Sequence, residues 1–383
     1  MTGYSEHRPT AAIISNQAIR HNIQVIQDML HDNQQLFAVV KADAYGHGAV
    51  EVSRIAQEEG VDGLAVATVD EAIELRQAGI ELPILVVGLS DPRGIAEVLH
   101  YDITITVADL SYFEIAYHQL LSAHQEHLLT EHALTVHLGL DTGMGRIGLN
   151  SKEAIMDFIQ GIQAYDWVDW QGVFTHFATA SGDNEAYMNH QWQLWQEWLA
   201  LIPESVTTRH FANSAMTFRP EMAQHSDLIR AGIALYGLDS DDVFPAPHDL
   251  QPALSLVSEI IYVKQIQAGM SVSYGASYTA QETEWVATIP IGYADGWLRH
   301  YQRLPILVNG HACPVIGVIN MDQLMIKLPG YYPVGTTVTL IGQDGKLNNA
   351  VSHMAPSVGT IGYEMLTSLA DRIPRVYLEE TQL

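Results

Sequence analysis

The sequence predicts an α/β fold in which a (β/α)8 barrel is followed by a mainly-β domain. Eight short runs rich in Val, Ile, Leu and Phe recur through the first two thirds of the chain. Stretches with helical periodicity separate them at intervals of roughly twenty to thirty-five residues, the repeat of a β/α unit. After residue 252 the pattern changes to short strands between Gly and Pro turns. On pattern alone, a doubly wound open sheet is the alternative to the barrel.

The apolar runs are the predicted barrel strands, and the predicted helices lie between them. The strands cover 36–40, 62–68, 83–88, 103–107, 134–140, 170–175, 207–212 and 227–237. The clearest helices cover 49–60, 70–79 and 189–201. In the last of these helices, Trp192, Trp195 and Trp198 recur at helical spacing, which predicts that they face the core.

The Asp- and Pro-rich segment 239–252, DSDDVFPAPHDLQP, has no periodicity and is predicted to be a linker. We therefore expect the barrel over residues 1–240 and the β domain over residues 241–383. The expected strands of the second domain are SLVSEIIYVKQI, EWVATIPIGYADG, PILVNG, CPVIGVI, QLMIKL and TTVTLIG, with little helix before residue 347. Cys313 lies in one of these apolar runs, so we expect a buried structural thiol there.

Composition and charge exclude several classes of function. The 383 residues carry 44 acidic side chains against 18 Lys and Arg, a formal net charge of −26. A surface this negative repels phosphate backbones and anionic lipid, so no nucleic-acid or membrane partner is expected. The single cysteine, with no signal pattern and no long apolar run, favours a soluble cytoplasmic protein. His124, His127 and His132 lie close together, but no Cys or carboxylate completes a ligand set, so we expect no metal site.

Polar side chains follow the predicted ends of several barrel strands. Lys41 ends the first strand, Arg146 lies in the DTGMGRIG loop after the fifth, and His176 and Ser214 follow the sixth and seventh. Arg230 lies within the eighth. Because a barrel forms its active site on the loops after the carboxyl ends of its strands, we expect these groups to converge there.

Lys41 and Ser214 each allow a functional and a purely structural interpretation. A lysine desolvated at the barrel mouth has a lowered pKa and can form an imine with an aldehyde. A strand-end lysine can equally extend into solvent. Ser214 with the backbone amides of Gly232 and Ile233 would form a phosphate site in the position common to this fold, but these glycines can also be simple turn residues.

Short motifs that contain these residues run along the whole chain. They are AVVKADAYGHG (38–48), HLGLDTGMGRIG (137–148), FTHFATA (174–180), FANSA (211–215), RAGIALYG (230–237), VSYGASYTA (272–280), PIGYADGW (290–297), NMDQ (320–323) and RIPR (372–375). In order and spacing they resemble the bacterial alanine racemases, a family of fold type III enzymes that depend on pyridoxal phosphate. One such motif is weak evidence, whereas a full ordered set is specific.

The resemblance implies a role for each matching residue. Lys41 would carry the coenzyme as an imine and act as one acid–base group. Tyr274 would be the other, reaching in from the second subunit of a homodimer. The remaining coenzyme contacts would be Tyr45, His176, Asn213, Ser214, Arg230, Gly232, Ile233 and Tyr363, with His176 on the ring face and Arg230 at the pyridine nitrogen. The residues that would shape the substrate site are Arg146, Tyr293, Met321 and Asp322, the last three from the partner.

The activity implied by the resemblance is two-base interconversion of L-alanine and D-alanine, which would supply D-alanine for peptidoglycan. A broader-specificity racemase of the same family is the alternative, although bulky Tyr293 and Met321 favour a small side chain. A basic amino-acid decarboxylase would carry an acid in place of Arg230. A non-catalytic coenzyme carrier would lack residues 253–383.

Gly139 departs from the pattern of many relatives. They have a lysine two residues before the Asp of DTGMGR, and that lysine is carbamylated and braces the arginine. Gly139 has no side chain to modify. We hypothesise that water or a small anion such as chloride braces Arg146 instead.

Overall fold

The computed structural model describes residues 7–182, 184–238 and 249–379. The chain begins with a strand, β1 (Ala11–Ser15), that the sequence did not predict. It pairs antiparallel with Leu254–Glu259 and parallel with Arg375–Leu378, so it belongs to a sheet of the C-terminal region and not to the barrel. The predicted boundary at residue 240, and residues 239–248 of the predicted linker, lie outside the described residues.

All eight predicted barrel strands are present, but the seventh is divided and the eighth, predicted over 227–237, ends at Ala231, where Gly232 leads into a 3-10 turn (Ile233–Tyr236). The parallel sheet contains β2 (Gln35–Val39), β3 (Gly63–Val66), β4 (Ile84–Leu89), β5 (Thr104–Val107), β6 (Leu134–Gly139), β7 (Val168–Phe174), β8 (Thr208–His210), β9 (Ala212–Asn213) and β10 (Leu228–Ala231). The seventh predicted strand is divided at Phe211 into β8 and β9. Because β8 pairs with β7 and β9 pairs with β10, this one segment closes the barrel.

Helical segments alternate with these strands, and the three predicted helices correspond to α3, α4 and α9. They are α1 (Asn16–Gln27), α2 (Lys41–Gly46), α3 (Ala49–Glu58), α4 (Val69–Gln77), α5 (Ile95–His100), α6 (Ser111–Ser122), α7 (Leu128–Glu131), α8 (Lys152–Ile162), α9 (Glu185–Leu199), α10 (Ser214–Thr217) and α11 (Pro220–Ala223). Side-chain caps begin several of them: Ser15 accepts from the Ala18 amide at 3.1 Å, and Thr68 and Glu71 form a capping box. Trp195 and Trp198 are buried in the core as expected.

The C-terminal region is mainly β. Its elements are β11 (Leu254–Glu259), β12 (Tyr262–Ile266), β13 (Ser271–Val272), β14 (Tyr278–Thr279), β15 (Glu284–Ile289), β16 (Ile306–Val308), β17 (His311–Cys313), β18 (Val315–Ile316), β19 (Leu324–Leu328), β20 (Thr337–Asp344), β21 (Leu347–Asn349), α12 (Val351–Ser357), α13 (Gly362–Thr367) and β22 (Arg375–Leu378). One sheet has the order β17-β16-β20-β11-β1-β22, with β21 beside β20, and a second has the order β12-β15-β19-β18. Cys313 is buried, as predicted, and burial raises the pKa of its thiol to about 11.

In the described part of the chain, no helix is both long enough and apolar enough to cross a bilayer. Within the same residues, no three His, Cys, Asp or Glu side chains are grouped so that they could hold a metal ion.

Asn22 joins α1 to the segment that leads into the C-terminal sheet. Its buried side-chain amide donates to the carbonyls of Leu235 at 3.0 Å and Gln251 at 2.8 Å, and its oxygen accepts from the Gln251 amide at 2.8 Å.

Replacing Asn22 by Ala would leave these backbone groups without partners, which should lower the free energy of unfolding by about 2–4 kcal/mol. Urea denaturation should show this loss. The control Gln24→Ala, on the exposed face of the same helix, should be nearly neutral, and equal effects of the two variants would contradict the prediction.

Candidate active site

A pocket of about 280 Å³ lies at the barrel mouth, where the parallel strands end. It contains ten of the residues that the sequence singles out: Lys41, Tyr45, Arg146, His176, Asn213, Ser214, Arg230, Gly232, Ile233 and Tyr363. The other lining residues were not predicted: Val39, Val87, Met144, Phe174, Phe177, Ala178, Ala180, Ser181 and Ala215. A mainly apolar wall with a few converging polar groups is typical of a small-molecule site.

Lys41 begins a left-handed turn, α2, that no local sequence pattern predicts. Residues 42–45 all have φ between 52° and 55°, a conformation that costs a non-glycine residue about 1–2 kcal/mol. Asp43 stabilises the turn from within. Its backbone carbonyl accepts from the Gly48 amide at 2.9 Å, and its carboxylate accepts from the Ala49 amide at 2.8 Å.

His47 and Arg375 hold the end of this turn. The His47 Nδ1 atom lies 3.1 Å from the carbonyl oxygens of both Ala44 and Tyr45, so this nitrogen must carry the proton. Burial lowers the pKa of His47 to about 4, so the ring is neutral at pH 7. Arg375, at the start of the last strand, donates from Nε to the Gly46 carbonyl at 3.0 Å. The C-terminal sheet therefore contributes directly to the shape of the loop that carries Lys41.

The Lys41 amine lies in an environment that disfavours its charged form. Burial lowers its pKa, and the positive charges of Arg146 and Arg230 lower it further, while Glu71 opposes them. Glu71 also accepts a hydrogen bond from the Ala42 amide at 2.7 Å. An amine with a lowered pKa is a better nucleophile and base near neutral pH, as the functional interpretation of Lys41 requires.

Arg230 is a buried cation whose hydrogen bonds fix two histidine tautomers. Its Nη2 atom donates to the carbonyls of Thr175 at 3.0 Å and Phe211 at 3.2 Å, and its Nη1 atom donates to His210 Nδ1. Because arginine has only donors, His210 Nδ1 must accept. His210 then carries its proton on Nε2 and donates it to His137 Nδ1 at 2.8 Å.

The two histidines stay neutral in this arrangement. Burial lowers the pKa of His210 well below its usual value, and it lowers the pKa of His137 to about 3. His210 and His137 therefore add no positive charge beside Arg230. The sequence holds a signal for this pair, because both histidines lie within predicted barrel strands and a buried arginine requires acceptors nearby.

Phe174 and His176 complete this side of the pocket. The Arg230 Cζ atom lies 5.4 Å from the centre of the Phe174 ring. The His210 ring stacks on the same phenyl group at 5.1 Å and 21°. His176 lines the pocket, and burial, with the charge of Arg230, lowers its pKa to about 3. A neutral imidazole and a phenyl ring give the pocket flat apolar walls.

The predicted phosphate site is built from backbone at the end of β10. Ser214 Oγ accepts from the Gly232 amide at 2.8 Å and lies 3.5 Å from the Ala234 amide. A Cβ built on Gly232 would lie 2.6 Å from the Tyr45 hydroxyl oxygen, so only glycine allows the Tyr45 hydroxyl to reach this backbone. Ile233 begins a 3-10 turn (Ile233–Tyr236), whose first amides have no partner within the turn.

Arg146 is exposed at the pocket rim. Across the described ranges, its guanidinium has neither a hydrogen-bond acceptor nor a carboxylate within ion-pair distance. A Cβ built on Gly139 would lie 3.5 Å from Gly148 Cα, 3.7 Å from Phe174 Cζ and 3.8 Å from Thr106 Cγ2, which are ordinary contacts. The position could hold a side chain, yet it has none. The water or chloride brace stays a prediction.

Four predicted site residues do not line this pocket: Tyr274, Tyr293, Met321 and Asp322. Tyr274 is 72% exposed and Met321 is 53% exposed. Asp322 forms an ion pair with Arg372 at 2.9 Å. All four residues lie in the C-terminal region, which contributes Tyr363 to the pocket of its own chain but none of these four.

Comparisons with known proteins concern the whole chain. Residues 14–240 match the family model of the alanine racemase N-terminal domain, and residues 253–377 match that of the C-terminal domain. The alanine racemase of Levilactobacillus brevis is 44% identical over 372 residues, which cover 97% of this chain and 98% of that protein. The crystal structure of alanine racemase from E. faecalis superposes with a TM-score of 0.92 at 40% identity, over 98% of this chain and 100% of that one. A histidine racemase from Leuconostoc mesenteroides superposes with a TM-score of 0.89 at 33% identity, over 98% and 99% of the chains.

Removing the charge of Arg146 should make Lys41 easier to protonate. The positive charge of Arg146 lowers the pKa of Lys41, so Arg146→Gln should raise that pKa. In cofactor-free protein, the pH at which Lys41 is half modified by a limiting amine reagent, followed by peptide mass spectrometry, should move upward. The control Arg54→Gln removes an exposed charge paired with Glu51 and should leave the midpoint in place. A downward shift in Arg146→Gln would contradict the electrostatic account.

Proposed function

The chain belongs to the alanine racemase family, and from that membership we propose that it interconverts L-alanine and D-alanine as a pyridoxal phosphate-dependent homodimer. The observation that carries this proposal is the convergence of Lys41 and Arg230 on one barrel-mouth pocket beside the Gly232 backbone. It supports the family reaction because a lysine of lowered pKa could serve as one base and an arginine in the same pocket could donate to the cofactor ring.

The residues of the pocket fit the cofactor. Arg230 retains donor hydrogens beyond those used on His210, Thr175 and Phe211, and it lines the pocket. The backbone of Gly232 and the hydroxyl groups of Tyr45 and Ser214 would hold the phosphate. When bound, pyridoxal phosphate acidifies the α-proton of an amino acid by acting as an electron sink.

Lys41 and Tyr274 would be the two bases. Inversion of a stereocentre requires a proton acceptor on one face of the substrate and a proton donor on the other. Burial and the charge of Arg146 lower the pKa of Lys41, which favours the neutral amine that a base requires. Tyr274 is exposed on its own chain and absent from its own pocket, the placement expected of a side chain that completes the site of a partner.

Arg230 argues against the decarboxylase alternative. Its guanidinium has only N–H donors, so a ring nitrogen that faces it must accept and stays unprotonated. The two neutral histidines beyond Arg230 bring no acidic proton to that position. Limited electron withdrawal should favour simple proton transfer over side reactions.

A broader-specificity racemase is the second candidate, and one observation favours it. A histidine racemase has the same fold at 33% identity, so the fold accommodates a larger side chain. The bulk of Met321 and Tyr293, which would come from the partner, favours alanine. We further propose that the enzyme acts in the cytoplasm and that its D-alanine is used for peptidoglycan, as the family suggests.

Chiral analysis tests the proposed reaction directly. Purified protein with pyridoxal phosphate is incubated separately with L-Ala and D-Ala, beside His, Ser, Lys and Arg. Both alanine samples should converge to a near-equal mixture faster than any other amino acid. Faster racemisation of His or Lys would favour the broader-specificity candidate. A visible cofactor spectrum without any racemisation would contradict the function.

The shared active site predicts recovery of activity in mixed dimers. Lys41→Ala should lose both the visible absorbance of bound cofactor and the activity, while Tyr274→Phe should keep the absorbance and lose most turnover. In a twofold dimer, each mixed dimer has one site with both native groups. Random pairing makes half of the dimers mixed, so activity should recover to about a quarter of the wild-type value.

Co-expression of the two variants with different affinity tags, followed by purification on both tags, isolates the mixed dimers. The matched control is co-expression of two differently tagged Lys41→Ala chains, which should stay inactive. Absence of recovery in mixed dimers that bind the cofactor would mean that Tyr274 does not act across subunits.

A further inference from the structure

We propose that Ser273 is a positioning residue that fixes the direction of Tyr274 by a strained backbone joined to the 318–321 segment. The inference rests on the proposed function, because Tyr274 is a base only if the chain is a racemase. Ser273 would support the second base, and the evidence for this role is the geometry of the turn around Tyr274.

Ser273 has a backbone conformation that few residues other than glycine adopt. Its φ is 71° and its ψ is 177°, in a region that costs a non-glycine residue about 1–3 kcal/mol. The strain recurs at Ala276, whose φ is 49°, while Gly275 between them adopts a φ of 69° without strain. Tyr274 therefore lies between residues whose conformations the surrounding structure must impose.

The Ser273 hydroxyl provides the restraint. Its Oγ atom accepts from the Val318 amide at 3.1 Å and donates to the Val318 carbonyl at 3.1 Å, with Asn320 Oδ1 at 3.4 Å. The amide and the carbonyl of Val318 are therefore both hydrogen-bonded to the Ser273 hydroxyl. A Cβ built on Gly317 would lie 2.3 Å from Ser273 Cβ, so the close approach also requires glycine on the facing segment.

The same segment holds the other residues that are predicted to enter the partner site. The Asn320 carbonyl accepts from the Tyr293 amide at 3.0 Å, and the Met321 carbonyl accepts from the Ala294 amide at 3.0 Å. Ser273 therefore fixes Tyr274 relative to Tyr293 and Met321. It does so through a segment that all three share.

The Tyr274 side chain has no competing anchor on its own chain. It is 72% exposed, and among the residues that the structure covers no side-chain hydrogen bond of Tyr274 is present. Within its own chain, the backbone therefore sets the point and direction from which the side chain leaves, and the partner site would select its rotamer. A displacement of about 1 Å at a catalytic group can cost up to about a hundredfold in rate, so loss of the restraint should be measurable.

The test compares proton exchange from each enantiomer in the holoenzyme. Initial rates of deuterium incorporation at Cα are measured for L-Ala and D-Ala in D₂O with wild type, Tyr274→Phe, Ser273→Ala and Ser273→Gly. Tyr274→Phe identifies the enantiomer that depends on Tyr274. For that enantiomer, Ser273→Ala should be about tenfold slower, while the other enantiomer stays within about twofold. Cofactor absorbance and cofactor affinity should not change.

Ser273→Gly separates strain from hydrogen bonding. Glycine relieves the backbone strain but loses the hydroxyl, so it should show the same one-sided loss as Ser273→Ala. The matched control is Ser271→Ala, in the same hairpin. The Ser271 hydroxyl contacts Thr279 Oγ1 at 3.1 Å, not Val318, so both exchange rates should match wild type.

Gly317→Ala offers a second route to the same result. The new methyl group would displace Ser273, so the same enantiomer should be slowed. Because both changes act on one contact, Gly317→Ala with Ser273→Gly should be no slower than the slower of the two single variants.

The outcomes separate the inference from the proposed function. No racemisation by wild type, or equal slowing of both enantiomers in Tyr274→Phe, would overturn the proposed two-base function and the inference with it. If wild type racemises alanine and Tyr274→Phe is one-sided, unchanged or equally reduced exchange in both Ser273 variants would overturn the inference alone.

Discussion

The left-handed turn after Lys41 is the constraint on which the rest of the site depends. Four successive non-glycine residues occupy a conformation that each disfavours by about 1–2 kcal/mol, so contacts from elsewhere must hold them. Glu71 holds the start of the turn from α4, and Arg375 holds its end from β22. Helix α4 belongs to the barrel, and β22 belongs to the C-terminal sheet. The shape of the Lys41 turn therefore depends on both regions, and β22 is in turn paired with β1, from the opposite end of the chain.

Strand register accounts for the second feature of the site, the buried cation. Arg230 pairs with Asn213 across β9 and β10, while Phe174 pairs with His210 across β7 and β8. His137 pairs with Gly172, on which a Cβ would lie 2.6 Å from the His137 ring, so glycine leaves the space that the imidazole fills. Arg230, His210 and His137 lie on β10, β8 and β6, which do not pair with one another. Their chain of donors therefore crosses the barrel interior, where side chains from separate strands meet. A slip of one residue would remove it.

The sequence predicted the barrel well because buried parallel strands appear as continuous apolar runs. It also placed the pocket, since ten predicted residues line one cavity. It did not predict β1, whose five residues carry no signal of partners more than two hundred positions away. Nor did it predict the turn after Lys41, because Ala and Tyr do not favour positive φ and a single Asp does not predict four such residues in a row. The roles of Tyr274 and of the other predicted partner residues rest on resemblance, since a single chain holds only half of each proposed site.

The two halves of the proposed site are built on opposite physical principles. The barrel half uses burial: a desolvated lysine, a buried arginine and neutral imidazoles, whose protonation states are fixed by exclusion of water. The C-terminal half presents Tyr274 and Met321 on an exposed surface, where burial within the chain cannot orient them. Restraint of the backbone must orient them instead. The strained turn at Ser273 and the turn that begins at Tyr293 are both hydrogen-bonded to residues 318–321. An exposed catalytic side chain that must meet a buried one in another subunit needs a fixed backbone before the subunits associate. Otherwise the entropy lost when that backbone becomes ordered would make association of the subunits less favourable.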